Sequence, residues 1–413
     1  MTNHKQVGIL FLSHFYPPEM GGAAARISGL AKWLVKFGHD VTVITGYPNY
    51  PIGKIYPEYK NKKNKIENID GVNILRAKVL PVSYGSFFVR LLNYFTLFFT
   101  AFWVSVKKRD NYDIIIASSP PLTMGMLGLI LSKIYKIPWI FDIRDIWPDV
   151  AVEAGMLKQN GIAHKLSKKL ANYLYKQANH ITPVTERKLT KIKKYDIPIS
   201  KISIVPNGVD FDIINNSKHM DWRGELGLEN KLILSYAGLI GIAQGVNVII
   251  ETALRLKEIN DIHFLIVGEG VEKQKLQNRV KSLEINNITF LPNQTKESIP
   301  SLLTLSDIAL IPLVSDKLVD AVPSKLLEAW ACNLPVILIA GGEAADIVVK
   351  AQGGIVVSSN DVEGIKTAII KLKDSPELIK KYSQNGYNYV YKDFDRELLA
   401  RAMEKVILKI LEV

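Results

Sequence analysis

The stretch Asp320-Ala321-Val322-Pro323-Ser324-Lys325-Leu326-Leu327-Glu328-Ala329-Trp330 concentrates groups able to hold a phosphorylated ligand. Pro323 suits the first turn of a helix, and Ser324 can satisfy orphan backbone amides there. Glu328 stands one turn after Ser324 on the same face. A carboxylate in that place can accept two sugar hydroxyls, and Lys325 can neutralise phosphate. The same spacing also suits a capped surface helix that happens to carry a Lys and a Glu.

Three glycine turns extend the list. Gly21-Gly22 stands just before an Ala-rich helical start, and paired glycines there let backbone amides approach an anion. Gly238-Leu239-Ile240-Gly241-Ile242-Ala243-Gln244-Gly245 opens another helix, and Gly268-Glu269-Gly270 follows an apolar run ending at Val267. Neither is G-x-G-x-x-G, so a dinucleotide fingerprint is disfavoured, while a diphosphate cradle remains open. Arg144 and Asp145 follow a further apolar run and are candidates for contact with acceptor or donor sugar; an Asp–Arg pair capping the helix near Trp147-Pro148 is the alternative. No D-x-D metal pair is evident, and Asp142 with Asp145 reads better as a polar loop than as a two-ligand cation site.

These loops need strands to hold them. Val7–Leu12, Val41–Thr45, Asp113–Ala117, Pro138–Asp142 and Ile202–Val205 read as buried strands, as do Leu232–Tyr236, Phe264–Val267, Ile308–Ile311 and Pro335–Ile339. Helical patterns lie between them, including Ala24–Phe37, Leu166–Gln177, Gln244–Leu256 and Glu272–Leu283. Alternation of this kind argues for βαβ units and parallel sheets, whose ligands bind at the carboxyl ends of the strands. The turn Pro206-Asn207-Gly208 and the polar run Asn215-Asn216-Ser217-Lys218-His219 mark a boundary. The expected domains are residues 1–205, residues 206–388, and a C-terminal helix within 389–413 that returns to the first domain.

The chain has 413 residues, 48% hydrophobic and 22% charged, which argues against disorder, collagen and coiled coil. Its single cysteine, Cys332, excludes a disulfide scaffold and a Cys-based zinc site. Residues 1–200 hold 28 Lys+Arg against 13 Asp+Glu, a formal +15, and the remaining 24 against 27 give −3. The asymmetry points the first half toward an anionic membrane surface, a phosphorylated acceptor or a nucleic acid. The run Lys60-Asn61-Lys62-Lys63-Asn64-Lys65 lacks the interleaved aromatics that single strands need, so nucleic acid is not expected as a partner. Val7–Leu12 is too short for a secretory h-region, and the chain is expected to stay in the cytoplasm. Ser86–Val106, SFFVRLLNYFTLFFTAFWVSV, is followed by Lys107-Lys108-Arg109. At ~1.5 Å per residue it would span about 31 Å, but Arg90 and Asn93 interrupt it. An interfacial helix, a core helix and a true span all remain open, with aromatics and flanking cations favouring the first.

The string PSKLLEAWACNLPVI preceded by Asp320 resembles the signature of glycosyltransferase family 4, retaining enzymes of the GT-B fold. SHFYPPEMGGAAARISGLAKWLVKFGHDVTVIT resembles the family's first βαβ unit, IVPNGVD at 204–210 its interdomain motif, YAGLIGIAQG at 236–245 its diphosphate loop, and IVGEG at 266–270 its base-proximal turn. FDIRDIWPDV at 141–150 is similar to a motif of bacterial surface-polysaccharide members. The implied fold is two Rossmann-like parallel-sheet domains facing each other across a cleft.

The resemblance implies a hexosyl-type transferase that takes its sugar from a nucleotide donor, UDP by family likeness. Glu328 matches the acidic residue that binds ribose hydroxyls, and Asp320, eight residues earlier, is a shortened match to the first acidic residue of the E-x7-E motif. Gly238, Gly241, Gln244, Gly268, Glu269, Ser324 and Lys325 complete the implied donor set, with Gly21 and Gly22 toward the acceptor. Relatives often carry Arg and Lys in the diphosphate loop; this chain has neither between Gly238 and Gly245, which is similar to N-acetylfucosamine-type transferases with G-x-x-G-x-x-Q-G. An N-acetylated hexosamine or deoxyhexosamine donor and a polyprenyl-diphosphate-linked acceptor are therefore expected, with no metal or other cofactor and a protein held peripherally on the inner face of the cell membrane. A nucleotide-sugar epimerase of the same fold and a non-enzymatic membrane-binding protein are the alternatives.

Overall fold

The computed structural model describes residues 6–60, 66–82, 87–108, 110–153, 157–217, 221–295, 297–316 and 318–412, without the side chains of Phe87 and Phe88. Lys62, Lys63 and Lys65 of the lysine-rich run, Ser86, Arg109, and Lys218 and His219 of the expected linker lie outside the described residues. The chain divides into two compact units, Met1–Asn207 with Arg396–Val413, and Gly208–Asp395. The segment belonging to the first unit starts at Arg396 rather than at residue 389, because Pro376–Asp393 is one unbroken helix.

The first unit runs β1 (Gly8–Leu12), α1 (Gly22–Lys36), β2 (Asp40–Gly46), β3 (Ile66–Ile69), β4 (Val72–Ala77), α2 (Phe87–Lys107), β5 (Ile114–Ser119), α3 (Leu122–Tyr135), β6 (Trp139–Ile143), α4 (Asp149–Glu153), α5 (Ile162–Gln177), β7 (His180–Pro183) and α6 (Glu186–Lys193). Its sheet order is β3-β4-β2-β1-β5-β6-β7, parallel except for edge strand β3. The strands GILFL, IIIASS and WIFDI are buried along their whole length, as expected for a sheet covered on both faces. The chain moves outward from β1 to β2 and β4 and returns to β5 on β1's other side, so the switch point lies between β1 and β5. A crevice outside the carboxyl ends of these strands is where such sheets take ligands.

Ile202–Val205, expected as a strand, is an extended segment with one bridge, Ile202 to Ile181. Ser203 N–H donates to Ile181 O and Val205 N–H to Pro183 O. The N–H needed for the rung between them belongs to Pro183, which has none. The strand at that edge is β7.

Helix α2 has two faces. Asn93, Leu97, Phe98, Ala101 and Ser105 are buried, and Leu97, Phe98 and Ala101 join the core beneath β2, β4 and α3. Val89, Leu92, Phe95, Phe99, Trp103 and Val106 are exposed at steps of three or four residues, which places them in one stripe. Phe98, grouped by sequence with the exposed aromatics, belongs to the core.

The second unit runs α7 (Phe211–Asn215), α8 (Trp222–Leu226), β8 (Leu232–Ala237), α9 (Asn247–Arg255), β9 (Ile262–Val267), α10 (Lys273–Ser282), β10 (Ile288–Leu291), α11 (Ser298–Thr304), β11 (Ile308–Pro312), α12 (Ser324–Ala331), β12 (Val336–Ile339), α13 (Gly342–Ala351), β13 (Gly354–Val357), α14 (Val362–Lys373) and α15 (Pro376–Asp393). Its sheet is parallel throughout, in the order β10-β9-β8-β11-β12-β13. Helix α16 (Arg396–Leu411) packs on α1 in the first unit. There His39 Nδ1 accepts from Val7 N–H, which leaves Nε2–H to donate to Glu404 at 3.0 Å.

Candidate functional site

In the second unit the loops after β8 and β9 are stitched together by backbone. Gly238 N–H donates to Val267 O, Ile240 N–H to Glu269 O, and Glu272 N–H to Ile240 O. A Cβ at Gly268 would stand 1.9 Å from Gly238 O, so this contact admits glycine alone. Gly268 therefore holds the two loops in place. Glu269 is largely exposed and paired with Lys273 at 2.6 Å, while the same ammonium donates to Gly268 O at 2.9 Å. Gln244 folds back over Gly241, its Oε1 2.7 Å from where a side chain would begin. A 3₁₀ turn, Ile242–Gln244, precedes α9, so the helix expected from Gln244 starts at Asn247.

Gly238 itself, at φ +146°, makes room for Lys325. A Cβ there would meet Lys325 Cε at 2.3 Å and Nζ at 3.2 Å. The ammonium lies 5.0 Å from the centre of the Tyr236 ring, whose hydroxyl donates to Leu239 O at 2.5 Å. Burial lowers the lysine's pKa from its ordinary value to about 8, with the Glu328 carboxylate opposing the shift. Glu328 is half-buried and makes no hydrogen bond or ion pair with the described residues. Together with Lys325, Ser235 and Ala237 it lines a small cavity of about 10 Å³.

Ser324 does not cap α12, as the sequence reading expected. The N-cap is Pro323, with φ −64° and ψ 133° and no side-chain capping bond, and Ser324 is the first helical residue. Among the described residues no side chain claims the leading amides of α12, and Lys325 stands in that first turn. Asp320 is buried in the turn before the helix.

In the first unit Asp142 is not a loop residue. It is fully buried in β6, where Arg26 of α1 donates from Nη2 at 2.7 Å and from Nε at 3.1 Å. Ser118 and Thr182 hydroxyls donate to the same carboxylate at 3.2 and 3.0 Å. Arg26 also holds Pro206 O at 2.7 Å. Arg144 extends the network: its Nε donates to Ser118 Oγ at 3.1 Å and Nη2 to Pro120 O at 2.7 Å, leaving Nη1 without a partner among the described residues. Arg144 and Asp145 therefore do not form the capping pair considered above. Asp145 faces the buried Lys188 of α6 at 3.7 Å. Gly21 caps α1 at φ +133°, and both Gly21 and Gly22 open onto free space.

Sequence reading missed Tyr236, Lys188, His14 and the Arg26–Asp142 pair. The pair left a signal, since a charged residue among the apolar positions of a helix or a buried strand calls for a partner. His14 left none. It is buried after β1 with Nδ1 unpartnered, and desolvation takes its pKa down to about 4, helped by the Arg144 charge and opposed by a bond to Asn93.

The family model described as "Glycosyltransferase Family 4" matches residues 20–213, and "Glycosyl transferases group 1" matches 219–389. The chain is a family-4 glycosyltransferase. A glycosyl transferase of Escherichia coli (strain K12) with a provisional assignment to colanic acid biosynthesis is 23% identical over 399 residues, covering 94% of this chain and 96% of its own. The transferase superposes on sucrose-phosphate synthase of Thermosynechococcus elongatus with a TM-score of 0.80 at 15% identity, over 98% of this chain and 100% of that one. It superposes on Anabaena HepE in complex with UDP-glucose with a TM-score of 0.73 at 15% identity, over the same shares. The shared fold is the GT-B type, two Rossmann-like units.

The partly desolvated Lys325 has a consequence for stability. Its folded pKa lies below its unfolded value, so the charged form costs stability below about pH 8, and the cost fades as pH rises toward the ordinary lysine value. Lys325→Met is expected to raise the ligand-free unfolding midpoint by a few degrees at pH 7, with the gain shrinking at pH 9.5. Thermal unfolding at the two pH values checks this.

Proposed function

We propose that the transferase moves an N-acetylated hexosamine or deoxyhexosamine from a UDP-linked donor to a polyprenyl-diphosphate-linked or glycan acceptor in cell-surface polysaccharide synthesis, with retention at the anomeric carbon. The observation that carries this reading is the Lys325 ammonium held in the space above Gly238, beside the uncapped start of α12 and one turn from Glu328, which makes no hydrogen bond or ion pair among the described residues. A diphosphate seated there meets a desolvated cation and backbone amides, and Glu328 accepts from the two ribose hydroxyls.

In the reaction the C1–O bond to the diphosphate breaks and the acceptor oxygen bonds to C1 on the same face. The acceptor proton passes to the departing phosphate oxygen. Charge that accumulates on the leaving group is met by Lys325 and the amides, which are oriented before the bond breaks. Gly21 and Gly22, with Nη1 of Arg144, which has no partner among the described residues, form the acceptor side of the proposal. Asp320 is assigned to the donor sugar and Asp145 to the sugar-contacting rim. No metal takes part in this scheme.

Glu328→Ala is expected to weaken UDP binding by about 1.5–3 kcal/mol while the fold survives. Transfer is expected to continue in excess EDTA. Calorimetry with UDP and a radiolabelled-sugar transfer assay check the two points; unchanged UDP affinity, or activity lost to EDTA and restored by magnesium, would sink the scheme.

We also place the transferase on the cytoplasmic leaflet of the membrane, docked through α2. Its outward stripe of Leu92, Phe95, Phe99 and Trp103 supplies apolar burial, and the exposed Lys107 and Lys108 at its end add roughly 1 kcal/mol each near an anionic surface. Binding to vesicles rich in anionic lipid is expected to fall with salt, and to fall further in a Leu92→Ser, Phe99→Ser, Trp103→Ser variant. Phe98→Ser should instead lower the unfolding temperature. Sedimentation with vesicles separates these outcomes from indifference to salt and stripe alike.

A further inference from the structure

The loops after β1 and β2 bring a group of aromatic rings to the carboxyl end of the first unit's sheet. Phe15 and Tyr50 are half-exposed with ring centres 5.2 Å apart, His14 stacks edge-on to Phe15 at 4.6 Å, and Tyr94 of α2 meets His14 edge-on at 5.2 Å. Exposed rings on loops normally shift with their loops, but these are pinned. The buried carboxylate of Glu19 accepts from Asn49 N–H and Tyr50 N–H at 3.0 Å through Oε1, and from Tyr16 N–H at 3.4 Å through Oε2. One side chain thus ties the β1 loop to the β2 loop, and the rings of both form a fixed surface.

Beside the rings stand polar groups without hydrogen-bond partners among the described residues: His14 Nδ1, which is buried, and Nη1 of Arg144, whose charge acts on His14. Two half-exposed rings tilted 54° to one another, with a fixed guanidinium nearby, suit a ligand with one apolar face and a rim of hydroxyls. A lipid chain has no use for the polar rim, and a bare anion has none for the rings. Pyranoses have both, since their axial C–H bonds present an apolar face while their hydroxyls project around the edge.

We propose that Phe15 and Tyr50 form an aromatic platform for the acceptor's sugar ring, with Glu19 as the positioning residue that fixes it and Arg144 as its polar edge. This rests on the transferase reading above and extends it, because Gly21, Gly22 and the Arg144 guanidinium give the acceptor side no apolar face on which a sugar ring can sit.

The test uses the full chain with saturating UDP and the methyl glycosides of N-acetylglucosamine, glucose and galactose as probes, read by saturation-transfer NMR. At least one glycoside is expected to receive saturation at the ring protons of one face. Tyr50→Ala removes the ring but keeps the backbone N–H held by Glu19, and Phe15→Leu keeps an apolar side chain at that loop. Each is expected to weaken glycoside binding by about threefold to tenfold, the range an aromatic contact contributes. UDP-induced thermal stabilisation should stay unchanged in both, which shows that the variants fold. If UDP stabilises the variants but no glycoside is saturated in the wild type, or the two variants bind glycosides as the wild type does, the platform is overturned and the donor assignment stands. Suppression of the glycoside signal by a sugar-free prenyl phosphate would also overturn it, by giving the rings to the lipid. Absence of UDP stabilisation in the wild type would instead count against the function on which the platform rests.

Discussion

A half-buried ammonium ion over a bare backbone is the constraint on which the second unit's site depends. Lys325 can reach its place only because Gly238 has no side chain, and Gly238 is held by its N–H bond to Val267 O at an approach that only a glycine at 268 permits. Removing such a cation from water is costly, which is why its pKa falls to about 8. At neutral pH the lysine still carries its charge at a cost, and an arriving diphosphate would stabilise that charge and raise the pKa again. On the proposed reading the cation that meets the diphosphate comes from α12, and residues 238–245 carry no Lys or Arg.

The first unit depends on a different ion pair. Arg26 and Asp142 are both buried, and Ser118 and Thr182 satisfy the remaining lone pairs of the carboxylate, the condition under which a buried pair is tolerated. Through Ser118 the pair fixes Arg144, so a guanidinium at the carboxyl end of β6 is oriented by a network rooted in α1. Helix α2 joins this end of the sheet to a surface stripe of Leu92, Phe99 and Trp103, because its inward side contributes Asn93 and Tyr94 next to His14. Its mixed reading in the sequence has a physical cause: a helix apolar all round has one side for the core and one left over.

Most of the sheet architecture was legible because buried parallel strands are continuous apolar runs, as in β1, β5, β6 and β9. Ile202–Val205 misled for the same reason, since an apolar run shows burial but not whether a neighbour such as Pro183 can complete the ladder. The strands β3, β10 and β13 are short and mostly half-buried, and their runs carry too little apolar signal to stand out. At the site, residue types and order located Lys325, Glu328 and the glycine loops. They could not show that Ser324 fails to cap its helix, that Gly268 admits a close backbone approach, or that Phe98 is buried while the neighbouring Phe99 is exposed. These are properties of three-dimensional register rather than of spacing.

The central claim is that Lys325, admitted by Gly238, recognises the diphosphate. Calorimetric titration of UDP and UMP into the wild type and into Gly238→Ala tests it most directly. The account predicts that the wild type prefers UDP and that the variant loses roughly tenfold or more of that preference, because a methyl group there displaces the ammonium while the base and ribose contacts remain. An unchanged ratio of UDP to UMP affinity in a folded Gly238→Ala protein would contradict it.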